Sequence, residues 1–438
     1  MAACAITAGA ASIDNGDNFP PRGCTLNPAI LTDIAVSHVV QISCDGLGAK
    51  YLESYVAVAP QEFPTFVRLM NESAFTMNAR CDHDVSETIP NHATMFTGRP
   101  VLQPAGYTNT THHGYNNNAP MATETLHNSG NTNVPYKSSM FDVAHDYGRT
   151  TAFSAGKMRL AICERSYNET NGAPDVIEAG GDNGRDKIDV ASVLDISGPA
   201  ISNQVNAVLA DLTNSTPKHY TFIHIAEPDL TGHSQNWGTP NWSNAVRMVD
   251  AQLGRIINAI DANPALLNQT ALIVTADHGG GGVTRSGHTE AYHITNYTVP
   301  FFLRAPGIAG GTDLYQIFAN RADPGTNRTD YTTQPQPIRG GDGSNLALSL
   351  MALPPIPGSF MVPVFATRPA LRIARSNGRV ALFWPDANDE FELEAAESIP
   401  ATQWQPITSG IEVNDTTKVY TIPDTSLTAM RYFRLRKR

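Results

Sequence analysis

Between residues 37 and 306, short unbroken apolar runs alternate with segments of helical period, and most of the runs stop at a charged residue, a Gly or a Pro. "HVVQISCDG" is such a run, and "FPTFVRLMNESA" after it repeats its apolar residues every three or four positions, as a helix does. "TTAFSAG", "HYTFIHIAEPD", "TALIVTADHGGGG" and "VPFFLRAPG" read as further strands, and "AVRMVDAQLGRIINAID" reads as a helix. A strand apolar along its whole length is buried on both sides. Strands alternating with helices therefore predict an α/β fold, a mostly parallel central sheet with helices on both faces. In such sheets functional groups gather beyond the carboxyl ends of the strands. Asp45, Asp229, Asp277 and His278 all fall there.

The pattern changes near residue 354. "LPPIPGSFMVPVF" is rich in Pro, and short alternating segments follow it. We read 1–36 as an N-terminal extension, 37–353 as the main domain, 354–362 as a Pro-rich linker and 363–438 as a small antiparallel β-sandwich. The "NG" within "RSNGRVALF" signals a two-residue hairpin. Trp384 and Trp404 are expected in the core of that module.

The net charge of −11 argues against a nucleic-acid duplex as resident ligand, because a binder needs a basic surface to neutralise phosphates. A small phosphate-bearing substrate remains compatible if bound cations supply positive charge locally. No run approaches the ~20 apolar residues of a membrane span. The Ala-rich start ends in small residues, like the tail of a secretory signal, and an exported protein is expected. The five cysteines include no C-x-x-C pair, which speaks against a zinc knuckle. Cys4 and Cys24 could pair.

Asp45 sits at the lip of a buried strand, in "SCDG". In "EPDLTGH" Asp229 and His233 are four apart, a spacing at which both side chains can reach one ion. "TADHGG" sets Asp277 beside His278, and "SGHTEAYH" offers His288 and His293. Asp45, Asp229, His233, Asp277, His278 and one late His make six oxygen and nitrogen donors, enough for two divalent cations. Carboxylate with imidazole and no thiolate suits Zn²⁺, with Mn²⁺ as the other choice. Two cations about 4 Å apart can hold the attacking and leaving oxygens of a displacement at phosphorus. "SETIPNHATMFTG" then supplies a hydroxyl. Thr88 is the expected nucleophile and Ser86 its rival, with Pro90 opening a helix whose N-terminus favours a phosphoryl group.

"DG" after a strand, "T-x-P-N-H-x-x-x-x-T-G", "E-P-D-x-x-G-H" and "T-A-D-H-G" together resemble the alkaline phosphatase superfamily, in its type I phosphodiesterase/nucleotide pyrophosphatase branch. The resemblance covers roughly residues 37–350. It implies an alkaline-phosphatase-like fold in which Asp45, Thr88, Asp277 and His278 hold one metal, and Asp229, His233 and a late His hold the other. His288 stands 18 residues before Pro306, a separation similar to that of the nucleotide pyrophosphatases, and is preferred to His293. "HHGYNNN" fits the family's phosphoryl-gripping Asn, with Asn118 the candidate and Asn116 and Asn117 the alternatives. Cys81 lies outside the sulfatases' C/S-x-P-x-R pattern. Lys157 and Arg159 in "SAGKMR" resemble the cationic pair of alkaline phosphatases with a Thr nucleophile, where they grip a monoester's extra charge. The expectation is therefore a two-metal phosphoester hydrolase, phosphodiesterase-like, with a phosphomonoesterase and a non-catalytic binding protein on the same fold as alternatives.

Overall fold

The computed structural model describes residues 4–6, 35–175, 184–366, 371–376, 379–385, 391–397, 403–414, 417–422 and 431–437. It divides into two compact units, one of residues 32–366 and one of residues 1–31 with 367–438.

The larger unit is built on β1 (His38–Cys44), β2 (Ala74–Arg80), β3 (Thr151–Ala155), β4 (Val190–Val193), β5 (Tyr220–Ile225), β6 (Thr270–Thr275), β7 (Thr298–Arg304) and β8 (Thr312–Asp313). They form one sheet in the order β4-β3-β5-β1-β6-β7-β2-β8. All neighbours run parallel except β7, which is antiparallel to both β6 and β2. The expected mostly parallel sheet is thus present. β1 lies at its centre, and β1, β3, β5 and β6 are buried along nearly their full length.

Helices supply the covering layers. The helix Pro240–Ala262 turns Trp242, Val246, Val249, Leu253 and Ile257 inward, each adding about 1.5–3 kcal/mol on burial. The helix Thr88–Thr97 is buried at every position. It stops at Gly98, whose φ of 63° belongs to the left-handed region, and a Cβ there would stand 2.8 Å from Asn345 Nδ2.

One sequence expectation merged two elements. The helix over "FPTFVRLMNESA" ends at Glu72, and β2 begins at Ala74. The polar residues Thr76, Asn78 and Arg80 hide the strand from a search for apolar runs. The Pro-rich stretch lies along the larger unit: Phe360 and Met361 N–H both donate to the Gly98 carbonyl, at 2.7 and 2.8 Å. Among the described residues no helix is long and apolar enough to cross a membrane.

The smaller unit holds two four-stranded antiparallel sheets. Cys4–Ile6 pairs with Arg431–Lys437 in one of them. In the other, Ser376 faces Arg379, the register a two-residue connection demands, while Asn377 and Gly378 lie outside the described residues. Trp384 and Leu382 from this sheet, with Leu393 and Phe433 from the first, form the core of the smaller unit. Trp404 departs from the expectation. It is half-buried, and the Arg434 guanidinium stacks 4.3 Å from its ring centre. The Cys4–Cys24 pairing lies outside the described residues, while Cys44, Cys81 and Cys163 are buried free thiols.

Candidate active site

Because β3, β5, β1 and β6 are parallel neighbours, their carboxyl ends open on one edge. Asp45 follows β1, Lys157 follows β3, Asp277 and His278 follow β6, and Asp229 opens the helix Asp229–Gln235 just beyond β5. Gly46, at φ 70°, lets Asp229 come close. A Cβ at that position would stand 2.9 Å from Asp229 Cα and Cβ.

Asp45, Asp277, Asp229, His278 and His288 are buried, whereas the His233 side chain is 48% exposed. Each carboxylate has one oxygen held by the protein and one without a partner. Asp277 Oδ1 accepts from the Gly46 and His278 N–H groups, at 3.1 and 2.9 Å. Asp45 Oδ2 meets His224 Nε2 at 2.8 Å and Lys157 Nζ at 2.6 Å. Asp229 Oδ2 meets Lys157 Nζ at 2.6 Å. Asp45 Oδ1, Asp229 Oδ1 and Asp277 Oδ2 are buried with no hydrogen-bond partner.

The imidazoles are prepared in the complementary sense. His278 Nδ1–H donates to the Gly279 carbonyl, His288 Nδ1–H to the Ser86 carbonyl and His233 Nδ1–H to the Ser286 carbonyl. A carbonyl only accepts, so in the neutral ring it is Nε2 that carries the lone pair. His278 Nε2 faces Asp277 Oδ2 at 3.3 Å and Asp45 Oδ1 at 3.5 Å. His288 Nε2 and His233 Nε2 face each other at 3.2 Å, beside Asp229. Two lone pairs at that distance need a proton or a cation between them.

The electrostatics point the same way. At this site three buried carboxylates stand against one buried lysine among the described residues, Lys157, an excess of negative charge. Burial drives the Asp277 carboxyl well above its usual range, and the Asp45 charge adds to the effect. Burial also acts on Asp45, but Lys157 and the His224 hydrogen bond outweigh it and hold that carboxyl well below the ordinary range. Lys157 is raised in turn, since Asp45 and Asp229 outweigh its own desolvation. Burial, with His278 alongside, lowers His288 to about 4, which keeps the imidazole neutral and able to ligate.

Orphaned carboxylate oxygens, neutral imidazoles and uncompensated charge fit bound divalent cations. Two overlapping donor groups exist among the described residues: Asp45 with Asp277 and His278, and Asp229 with His278 and His288. His278 is common to both.

Thr88 is the first residue of its helix, buried, with Oγ1 3.4 Å from His278 Nε2. Asn118 Oδ1 accepts from the Ile89 N–H at 2.9 Å, which leaves the amide nitrogen to donate elsewhere. Arg159 is exposed and reaches the Asn118 carbonyl at 3.2 Å. Thr88, Lys157, Arg159, Asp229, His233 and His288 all line a cavity of about 440 Å³, walled on another side by Asp195, Ile196 and Ser197. The rivals are placed elsewhere. Ser86 gives its hydroxyl to the His288 carbonyl, and His293 caps a short helix through Thr295. Asn117 bonds Glu124 and the Ala119 carbonyl, and Asn116 is exposed. Cys81 is buried against the Asp82 carbonyl.

Two buried histidines at the site lie outside the sequence-derived ligand set. His224 contacts Asp45. His92 donates from Nδ1 to the Thr88 carbonyl at 2.7 Å and receives the Ser43 hydroxyl at 3.0 Å. Burial lowers His92 to about 3. A histidine inside an otherwise apolar run, as in "TFIHI", is the signal that could have found the first.

Comparison with known proteins places the chain. The curated 2,3-bisphosphoglycerate-independent phosphoglycerate mutase of Rhodopseudomonas palustris is 37% identical over 78 residues, 18% of this chain, and the match spans only 14% of that relative's length. Among solved structures, murine ectonucleotide pyrophosphatase/phosphodiesterase 5 in complex with AMP superposes with a TM-score of 0.45 at 14% identity, covering 73% of this chain and 96% of that one. An alkaline phosphatase superfamily protein of Vibrio parahaemolyticus gives 0.46 at 13%, covering 86% and 83%. A 2-O GAG sulfatase gives 0.49 at 11%, covering 80% of each chain. The family model described as type I phosphodiesterase / nucleotide pyrophosphatase matches residues 39–338, more than half of the sequence. The chain therefore belongs to the type I phosphodiesterase/nucleotide pyrophosphatase family.

Proposed function

We propose that residues 37–353 form a phosphodiesterase that works through Thr88 and a phospho-threonine intermediate, with two divalent cations, Zn²⁺ or Mn²⁺, held by the residues named above. The observation that carries this reading is the set of three partnerless carboxylate oxygens facing imidazole nitrogens beside the Thr88 hydroxyl. Asp45, Asp277, His278 and Thr88 would hold one cation, and Asp229, His233 and His288 the other. When bound, such cations supply positive charge for a phosphoryl group and make a hydroxyl or a water a stronger nucleophile at neutral pH.

Thr88 Oγ1 attacks phosphorus. The Oγ1–P bond forms as the ester P–O bond breaks, and the alcohol leaves through the cavity. The Asn118 amide donates to one phosphoryl oxygen, and the N-terminus of the Thr88 helix favours the charge. Water then breaks the Oγ1–P bond, releasing phosphate monoester and restoring the hydroxyl. Lys157 Nζ bridges Asp45 and Asp229, so both stay aimed through the cycle.

The placement of Lys157 and Arg159 on the same cavity favours a second reading, a phosphomonoesterase, in which both cations answer the additional negative charge. Assays on an aryl phosphodiester, an aryl phosphomonoester, a nucleotide diester and an aryl sulfate, before and after chelation, test both. The expected result is phosphodiester turnover that disappears with metal removal and returns with Zn²⁺ or Mn²⁺. A monoester rate above the diester rate selects the second reading. Turnover that survives verified removal of metal would overturn both.

A further inference from the structure

Resting on the cation-binding reading above, we propose that His224 is a positioning residue: it aims Asp45 at its cation and ties the metal centre to the turn that carries Lys157 and Arg159. His224 is wholly buried inside β5. Its Nε2 lies 2.8 Å from Asp45 Oδ2. A carboxylate only accepts, so Nε2 bears the proton and donates. Nδ1 is then the acceptor. The Gly156 N–H, 3.2 Å away, donates to it while also reaching the His224 carbonyl at 3.1 Å. One ring therefore joins the residue that ends β1 to the turn that ends β3.

Two neighbours keep the ring in place. His92 packs edge-on against it, with centroids 4.9 Å apart, and Gln204 Nε2 donates to its carbonyl at 2.8 Å. With Asp45 Oδ2 taken by His224 and Lys157, Oδ1 is the atom left for a cation. His224 thus sets which oxygen ligates. Loss of the Nε2 donor frees the Asp45 carboxylate to turn, and the loss is felt as weaker cation binding. Because the same ring receives the Gly156 N–H, the turn that brings Lys157 Nζ to 2.6 Å from that carboxylate is held in place.

His224→Gln and His224→Asn separate this role from packing. A glutamine amide nitrogen reaches the place of Nε2 and can still donate to Asp45. The shorter asparagine reaches only the place of Nδ1, where it can meet Gly156 but not Asp45. The metal-stripped full chain and both variants are titrated with Co²⁺ alone, followed by its visible absorption, with circular dichroism as the check on folding. The expected result is wild-type-like cobalt affinity and absorption in the Gln variant, and a roughly 10- to 100-fold weaker site in the Asn variant. Asn binding as tightly as wild type, or Gln and Asn weakened alike, overturns the assignment while leaving the metal centre standing. No cobalt uptake by the wild type sinks the assignment together with the proposed function. Should the Asn variant not fold, the Gln variant decides: an unchanged cobalt spectrum supports the role, and an altered one refutes it.

Discussion

The two halves of the candidate metal centre are built differently. Asp45, Asp277 and His278 are fully buried at the ends of adjacent central strands, and backbone N–H groups, a backbone carbonyl or a buried histidine fix each of them. Asp229 and His233 ride on the short helix Asp229–Gln235, and His233 leaves about half its side chain in solvent. The inner half is thus part of the core, and disturbing it disturbs the fold. The outer half faces the cavity, and its half-exposed His233 can change with little cost to the fold. His278 and Lys157 link them, the first by belonging to both donor groups and the second by bridging Asp45 and Asp229.

The largest effect is expected where the inner half meets the chemistry. Thr88→Ala removes the proposed attacking oxygen and should lower kcat by about 10⁴-fold or more. The carboxylates and imidazoles are untouched, so elemental analysis should still find both metals. Near-normal turnover would move the nucleophile elsewhere and remove the reason for treating the inner half as the reacting one.

Next comes a direct contrast between the halves. Asp277→Ala strips the acceptor from the buried Gly46 and His278 N–H groups, each left unpaired at about 1–3 kcal/mol. The metal-loaded variant should melt several degrees lower and hold less metal. In the stripped protein the penalty should shrink, since burial first and the neighbouring Asp45 charge second raise the Asp277 carboxyl's pKa there and disfavour its charged form. His233→Ala removes a half-exposed side chain. It should change stability by no more than about 0.5 kcal/mol, yet lose one metal equivalent and roughly 10- to 100-fold in rate. Equal melting temperatures for the two loaded variants would erase the distinction.

This contrast also explains what the sequence could disclose. Asp45, Asp229, His233, Asp277 and His278 were legible because strand ends in a parallel sheet converge, so a polar residue just after an apolar run has few other reasons to be there. His224 and His92 were not, because each sits inside a fully buried strand or helix rather than just past a strand end. The strand β2 was missed because its polar residues break the apolar period. The position of Lys157 is the subtlest case. Sequence gives a basic pair two apart, but only the sheet order sets Lys157 between two carboxylates and leaves Arg159 at the surface.

That split of the basic pair yields the smallest expected effect. Lys157 serves the metal centre and Arg159 faces the open cavity, so Arg159→Ala tests the outer half without touching the inner one. A charge-assisted hydrogen bond contributes about 1.5–3 kcal/mol. If Arg159 answers the second negative charge of a monoester, kcat/KM on an aryl monoester should fall roughly 10- to 100-fold by the same measure, and the diester should lose less. Metal content and melting temperature should not move. A similar loss on both esters would give Arg159 another task, holding the Asn118 carbonyl 3.2 Å away, and would assign ester selection to some other part of the cavity wall.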